Sequence, residues 1–176
     1  MLINGSPNKN GFSMTLADAI FDENTVHHAY EMSIESCTDC GFCDKRPACI
    51  FDDDMDAIIS ALHHDDTLIL ASPIYFGALS DKLLAILNRL QMLFKKKFTH
   101  KQEIPDIKRL YIVATCGAGN AVMFDGAHLT LTILKQLFNA ETARLFTLKG
   151  TDAMHPETLT KDKAHLIDHY RSIVRQ

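Results

Sequence analysis

Short, wholly apolar runs of strand length alternate along this chain with segments whose apolar residues recur at helical spacing. A parallel α/β sheet requires that pattern, because helices on both faces bury both sides of every strand. The runs predict strands over Met1–Asn4, Thr25–Tyr30, Thr67–Ser72, Leu110–Thr115 and Ala143–Leu148. Leu68-Ile69-Leu70-Ala71 and Leu110-Tyr111-Ile112-Val113-Ala114 show no polar alternation, as expected of central strands. Met55, Ile58, Ile59 and Leu62 fall at i, i+3, i+4 and i+7 behind Asp52-Asp53-Asp54, which offers an N-cap and charge suited to a helix N-terminus. Leu83, Leu84, Leu87, Leu90 and Phe94 form a second stripe, and Leu131, Leu134, Leu137 and Phe138 a third. Leu166, Ile167, Tyr170 and Val174 form the last, and a shorter helix is predicted from Ser13 to Phe21. Five strands and five helices in alternation read as one doubly wound domain over residues 1–176.

Composition narrows the function. With 47% hydrophobic and 23% charged residues the chain has the material for a core. A net charge of −4 gives no electrostatic reason to bind nucleic acid or an anionic membrane. No apolar run approaches the ~18 residues of a membrane span. Met1-Leu2-Ile3 leads straight into Asn4-Gly5-Ser6-Pro7, which is no signal peptide. The expectation is a cytoplasmic protein whose five cysteines are metal ligands or redox groups rather than a disulfide framework. Lys95-Lys96-Lys97 reads as a solvated helix end, and His165 with His169 as a solvated helix face lacking a third metal ligand. His27-His28 and His63-His64 read as residues solvating the edges of elements.

In an open parallel sheet, ligands bind beyond the carboxyl ends of the strands. Three loops stand there. The first, Gly5-Ser6-Pro7-Asn8-Lys9-Asn10-Gly11-Phe12-Ser13-Met14, combines glycines, hydroxyls and amides ahead of a helix, the makings of an anion cradle. It is neither a Walker A loop nor Gly-x-Gly-x-x-Gly. The second, Ser72-Pro73-Ile74-Tyr75-Phe76-Gly77, puts two aromatics at the crevice mouth, suited to a flat ring. The third, Thr115-Cys116-Gly117-Ala118-Gly119, lets backbone amides approach a ligand closely.

Asn4-Gly5-Ser6-Pro7 with Asn10-Gly11-Phe12-Ser13, then Asp53-Asp54-Met55, then Ser72 to Gly77 with Ser80 and Arg89, resemble in order and spacing the flavodoxin-like NADPH-dependent FMN reductases. That family also contains NAD(P)H:quinone reductases and iron–sulfur flavoproteins. The resemblance implies a three-layer flavodoxin-like α/β sandwich with a five-stranded parallel sheet of order 2-1-3-4-5. It implies FMN, with Ser6, Asn8, Asn10, Phe12, Ser13 and Met14 at the phosphate. Pro73, Ile74, Tyr75, Phe76 and Gly77 would follow the ribityl chain and ring, and Thr115, Cys116, Gly117, Ala118 and Gly119 would face the pyrimidine edge. The first strand is two or three residues shorter than in such relatives, and Leu84 and Asn88 stand where many carry Lys and Asp. Homodimers or homotetramers are implied by the resemblance alone.

Cys37-x2-Cys40-x2-Cys43-x5-Cys49 follows the second strand on the same edge. Three thiols at steps of three and a fourth beyond Pro47 have the spacing of a [4Fe–4S] cluster rather than the separated pairs of structural zinc. Free thiols and zinc stay open as alternatives. Cys116 stands apart and reads as a small packing residue. The resulting expectation is an FMN-dependent oxidoreductase taking electrons from NAD(P)H to a quinone, free flavin or other small acceptor, with no protein acid or base required. Amides of Gly117 to Gly119 would favour the charge that builds on the flavin pyrimidine upon reduction. The alternatives are an iron–sulfur flavoprotein electron carrier with a redox protein partner, and a redox-sensing or zinc-stabilised flavodoxin-like binding protein.

Overall fold

Alternate residues of each central strand leave the sheet on opposite faces, and both faces are covered. Ile3, Leu68, Leu70, Leu110 and Ile112 join one apolar cluster, while Leu2, Ile69, Tyr111 and Val113 join the other. This is why the strand sequences carry no polar alternation. The computed structural model describes residues 1–22, 24–117 and 120–176.

The strands are β1 (Leu2–Asn4), β2 (Val26–His28), β3 (Thr67–Tyr75), β4 (Ala78–Leu79), β5 (Arg109–Cys116) and β6 (Thr142–Lys149). The helices are α1 (Phe12–Ile20), α2 (Phe42–Lys45), α3 (Met55–His64), α4 (Asp81–Arg89), α5 (Gln91–Phe98), α6 (Asp125–Phe138), α7 (Leu159–Asp162) and α8 (Ala164–Val174). Five strands pair in parallel in the order β2-β1-β3-β5-β6, which is the expected 2-1-3-4-5 arrangement. The register sets Ile3 beside Leu70, and Leu70 beside Ile112. Helices α3 to α6 cover one face and α1 with α8 the other. On the second face Phe146 stacks between Tyr111, at 6.0 Å, and Tyr170, at 4.7 Å between ring centroids.

The sixth strand was not expected. Strand β4 pairs antiparallel with the end of β3, Ile74 facing Leu79 and Tyr75 facing Ala78. Phe76 and Gly77 form the two-residue loop with φ of +51° and +77°, the positive pair of a type I′ hairpin. Backbone rather than side chain seats this hairpin on α6. A Cβ added to Gly126 would lie 2.4 Å from the Gly77 carbonyl oxygen.

Three further expectations are corrected. The apolar stripe from Leu83 to Phe94 is two helices, α4 and α5, divided at Leu90 directly after the buried Arg89. His27 and His28 lie within β2, half-buried, and His28 Nδ1 sits 3.2 Å from Asn4 Nδ2. The lysine run is half-buried and tied down: Lys95 pairs with Asp44 at 2.6 Å and Lys97 donates to the Leu137 carbonyl. His165 and His169 are exposed, as expected of a solvated face. Among the described residues no helix is long and apolar enough to cross a membrane.

Candidate functional site

The loop after β1 is wound by its own polar side chains. Asn4 is fully buried, and its Oδ1 accepts from the Ser6 amide at 2.9 Å. Ser6 Oγ accepts from the Asn8 amide at 3.2 Å, and Asn8 Oδ1 from the Asn10 amide at 3.0 Å. Each short polar side chain thus closes a turn two residues on. Gly11 completes the loop, since a Cβ there would meet the Asn8 carbonyl at 3.1 Å and Ser6 Oγ at 3.2 Å. No side chain caps α1, so its first amide groups face the loop without an internal acceptor. Ser13 is 1% exposed, and its buried Oγ has no hydrogen-bond partner. A buried hydroxyl without a partner, beside an uncapped helix N-terminus, suits an anion with several acceptor oxygens.

An open cleft runs from this loop across the carboxyl edge of the sheet, where ligands bind in open parallel sheets. Ser6, Phe12 and Ser13 line one end, Pro73, Ile74 and Tyr75 the middle, and Thr115, Cys116 and Gly117 the far side. Asn8 and Asn10 lie outside that lining, on the exposed loop, and Met14 is packed in the core. Phe76 projects fully into solvent, and Gly77 backs onto Gly126. Ala118 and Gly119 lie outside the described residues. Cys116 is buried at the cleft wall. Thr151 and Asp152 also line the cleft, and sequence reasoning missed them. Their position after the last parallel strand was the available signal. The Asp152 carboxylate lies directly over the Gly117 backbone, so the loops after β5 and β6 meet at this point of the cleft.

A second cavity shares no lining residue with the cleft. Cys37, Cys40, Cys43 and Cys49 all open onto it, together with Phe51 and Arg89. Two left-handed residues, Asp39 at φ +52° and Gly41 at φ +70°, fold the cysteine segment back and launch α2. The segment is anchored at Cys43, whose carbonyl lies 2.9 Å from His100 Nε2, and at Asp44 through Lys95. Burial, then the charge of Asp44, pushes the Cys43 thiol above its ordinary value. All four thiols are free. Among the described residues no three side chains of His, Cys, Asp or Glu close round a single ion. A four-iron cluster takes one thiolate at each iron, so its ligands surround a volume rather than a point. Four thiols around one cavity fit that requirement.

Asp53 and Arg89 buttress this cavity. Arg89 Nη1 donates to Asp53 Oδ2 at 2.6 Å and to the Glu35 carbonyl at 2.9 Å, and Nη2 donates to Asp53 Oδ1 at 3.2 Å. Asp53 also accepts from the amides of Glu35 and Met55, and Asp54 from that of Ser33. The aspartates expected merely to cap α3 therefore also hold the strand of chain leading into the cysteines. Burial raises the Asp53 carboxyl, but the hydrogen bonds from Arg89 and the two amides outweigh it and hold it below the usual carboxylate value.

Residues 1–146 match the family model of NADPH-dependent FMN reductases. The chain belongs to this family. Among curated relatives, the iron–sulfur flavoprotein of Methanosarcina thermophila is 32% identical over 110 residues, 58% of this chain and 57% of that protein. That of Archaeoglobus fulgidus is 32% identical over 93 residues, 49% of this chain and 42% of that one. The matched segments span about half the length of these relatives. Among solved structures, an NAD(P)H:quinone oxidoreductase from Methanothermobacter marburgensis superposes with a TM-score of 0.70 at 12% identity, covering 98% of this chain and 94% of that one. An azoreductase from Bacillus anthracis gives 0.61 at 11%, with 98% and 96% covered. These structures share the flavodoxin-like fold.

Proposed function

We propose that this protein is an FMN-dependent oxidoreductase that takes electrons from NAD(P)H and passes them to a quinone, free flavin or other small acceptor. The observation that carries this is the unpartnered, buried Ser13 hydroxyl beside the uncapped α1 N-terminus, at one end of the open cleft in an FMN reductase family member. When bound, FMN supplies the chemistry, accepting hydride and releasing electrons singly or in pairs. The chain's residues bind and orient. Ser6, Ser13 and the α1 amides hold the phosphate; the half-exposed Tyr75 lies along the ring; the Gly117 amide favours negative charge on the pyrimidine edge. Neighbouring positions Asn8, Asn10, Phe12 and Met14 support the phosphate loop, and Pro73, Ile74, Thr115 and Cys116 wall the ring site. Expression with added riboflavin, followed by an anaerobic visible spectrum and an NAD(P)H oxidation assay, tests the reading. Flavin bands and acceptor-dependent oxidation are expected, and a protein without flavin bands overturns it.

A second reading, an iron–sulfur flavoprotein electron carrier, is favoured by the four thiols on one cavity and by the relatives named iron–sulfur flavoprotein. Iron and sulfide analysis of the same anaerobic preparation decides it against free thiols or zinc. In either reading the chain acts in a homodimer or homotetramer. The exposed Phe94 and Phe98, tilted against each other, line one groove with the exposed Ile133 and support this, and light scattering measures it.

Phe76 gives a further test. An aromatic residue held at φ +51° and wholly exposed costs the fold about 1 kcal/mol relative to a residue at ease there. Phe76→Asn should therefore stabilise the protein by about 1 kcal/mol in urea unfolding. At the same time, with Phe76 next to the cleft-lining Tyr75 as the proposed outer contact of the nicotinamide, it should raise the KM for NAD(P)H. A variant that is more stable with unchanged KM would remove Phe76 from the site.

A further inference from the structure

One nitrogen of the buried Arg89 guanidinium, Nε, is left without a partner. Its side chain is 2% exposed, and both terminal nitrogens are engaged with Asp53 and Glu35. The Phe51 ring packs against it, 4.9 Å from the guanidinium carbon to the ring centroid. Nε, by contrast, is buried with no hydrogen-bond partner. A buried N–H left unmade costs roughly 1–3 kcal/mol, so Nε–H is poised for an acceptor in the cavity wall. Arg89 lines the cysteine cavity together with Cys49. Burial disfavours its charge, but hydrogen bonding to Asp53 and the neighbouring Cys49 sulfur restore and strengthen it. The fork is thus fixed at one end by a carboxylate and a carbonyl, and its remaining donor belongs to the wall that the thiols share.

We propose that Arg89 is a positioning residue for the cysteine cluster, its Nε–H donating to the Cys49 sulfur once that sulfur ligates iron, and that this bond sets the cluster's reduction potential. The inference rests on the reading of the four cysteines as [4Fe–4S] ligands. Hydrogen bonds to ligating sulfurs withdraw charge from the metal and so favour the reduced state. Lysine at this position keeps the positive charge but has no planar fork and no Nε–H beside Cys49. A merely structural Arg89 would move stability and leave the potential alone.

The test uses anaerobically purified full-length protein. Arg89→Lys should keep about four irons per chain. Its reduction equilibrium should shift tenfold toward the oxidised state, about 59 mV for one electron. In protein labelled with ¹⁵N only at arginine, pulsed electron paramagnetic resonance of the reduced cluster should show a ¹⁵N coupling. That coupling should persist in Arg46→Lys, which removes the arginine of the cysteine segment that lies over the Phe42 ring, and vanish in Arg89→Lys. Iron with an unchanged potential and no ¹⁵N coupling overturns the role of Arg89 while leaving the cluster reading intact. Wild-type protein without iron overturns the cluster reading itself, and the inference with it. If Arg89→Lys loses its iron, the coupling in Arg46→Lys alone decides: its presence supports the proposal and its absence overturns it.

Discussion

Arg89→Met should destabilise the protein by about 3–5 kcal/mol, the usual cost of stripping one partner from a buried ion pair. The Asp53 side chain is only 10% exposed, so the carboxylate left behind cannot recover its hydration. The Glu35 carbonyl loses its donor in the same step. The double variant Asp53→Asn/Arg89→Met should regain part of the loss, because no uncompensated charge stays buried. The pH dependence carries the sharper signature. In the wild type the Asp53 carboxyl is held below its unfolded value, so its contribution is complete above about pH 4 and falls away as acid protonates it. In Arg89→Met only the Glu35 and Met55 amides still oppose burial, so the carboxyl sits higher than in the wild type and the variant loses less stability in acid. The gap between the two proteins should therefore narrow as the pH falls from neutrality through about 4. Urea unfolding at several pH values, at equal iron content, measures it. A gap below about 1 kcal/mol at pH 7, or one that widens in acid, would show that the pair is not what holds this corner.

How much of this was legible beforehand depends on the range over which each residue acts. The central strands were readable because Leu68 to Ala71 and Leu110 to Ala114 are apolar on both faces, a property of the residues themselves. The flavodoxin-like order came from the motif resemblance, and the hydrogen-bonded register agrees with it. The hairpin at Phe76-Gly77 was hidden because Phe is an unusual choice for a left-handed position, where Asn is the common signal. The break at Leu90 was hidden because the apolar stripe runs across it unbroken; the division is a tightened turn in which the Leu90 amide donates to the Leu87 carbonyl. Asp53 itself was assigned a local capping task, which it does perform through the Met55 amide. Its long-range partner could not be deduced from spacing. The same holds for Thr151 and Asp152, which reach the cleft only because β6 lies next to β5.

Cys43→Ser should reduce iron from about four per chain to below one while FMN remains bound. Cys43 is the thiol most firmly placed: it lies on α2, its carbonyl is held by His100, and the next residue is held by Lys95. Serine preserves that framework and removes only the sulfur, so a lost cluster reports ligation rather than misfolding. Flavin retention follows from the separation of the two cavities, which share no lining residue. The half-buried thiol is raised above its ordinary value, so iron must displace its proton, and loading of the wild type should improve as the pH rises. The same variant then separates the two functional readings. In a simple reductase, NAD(P)H oxidation with a small acceptor survives the loss of iron. In an electron carrier, delivery of single electrons to a protein acceptor collapses while the flavin is still reduced by NAD(P)H. Full iron content in Cys43→Ser would remove Cys43 from the ligand set. Loss of FMN together with iron would mean that the cysteine segment braces the flavin cleft through a coupling that the two separate linings do not reveal.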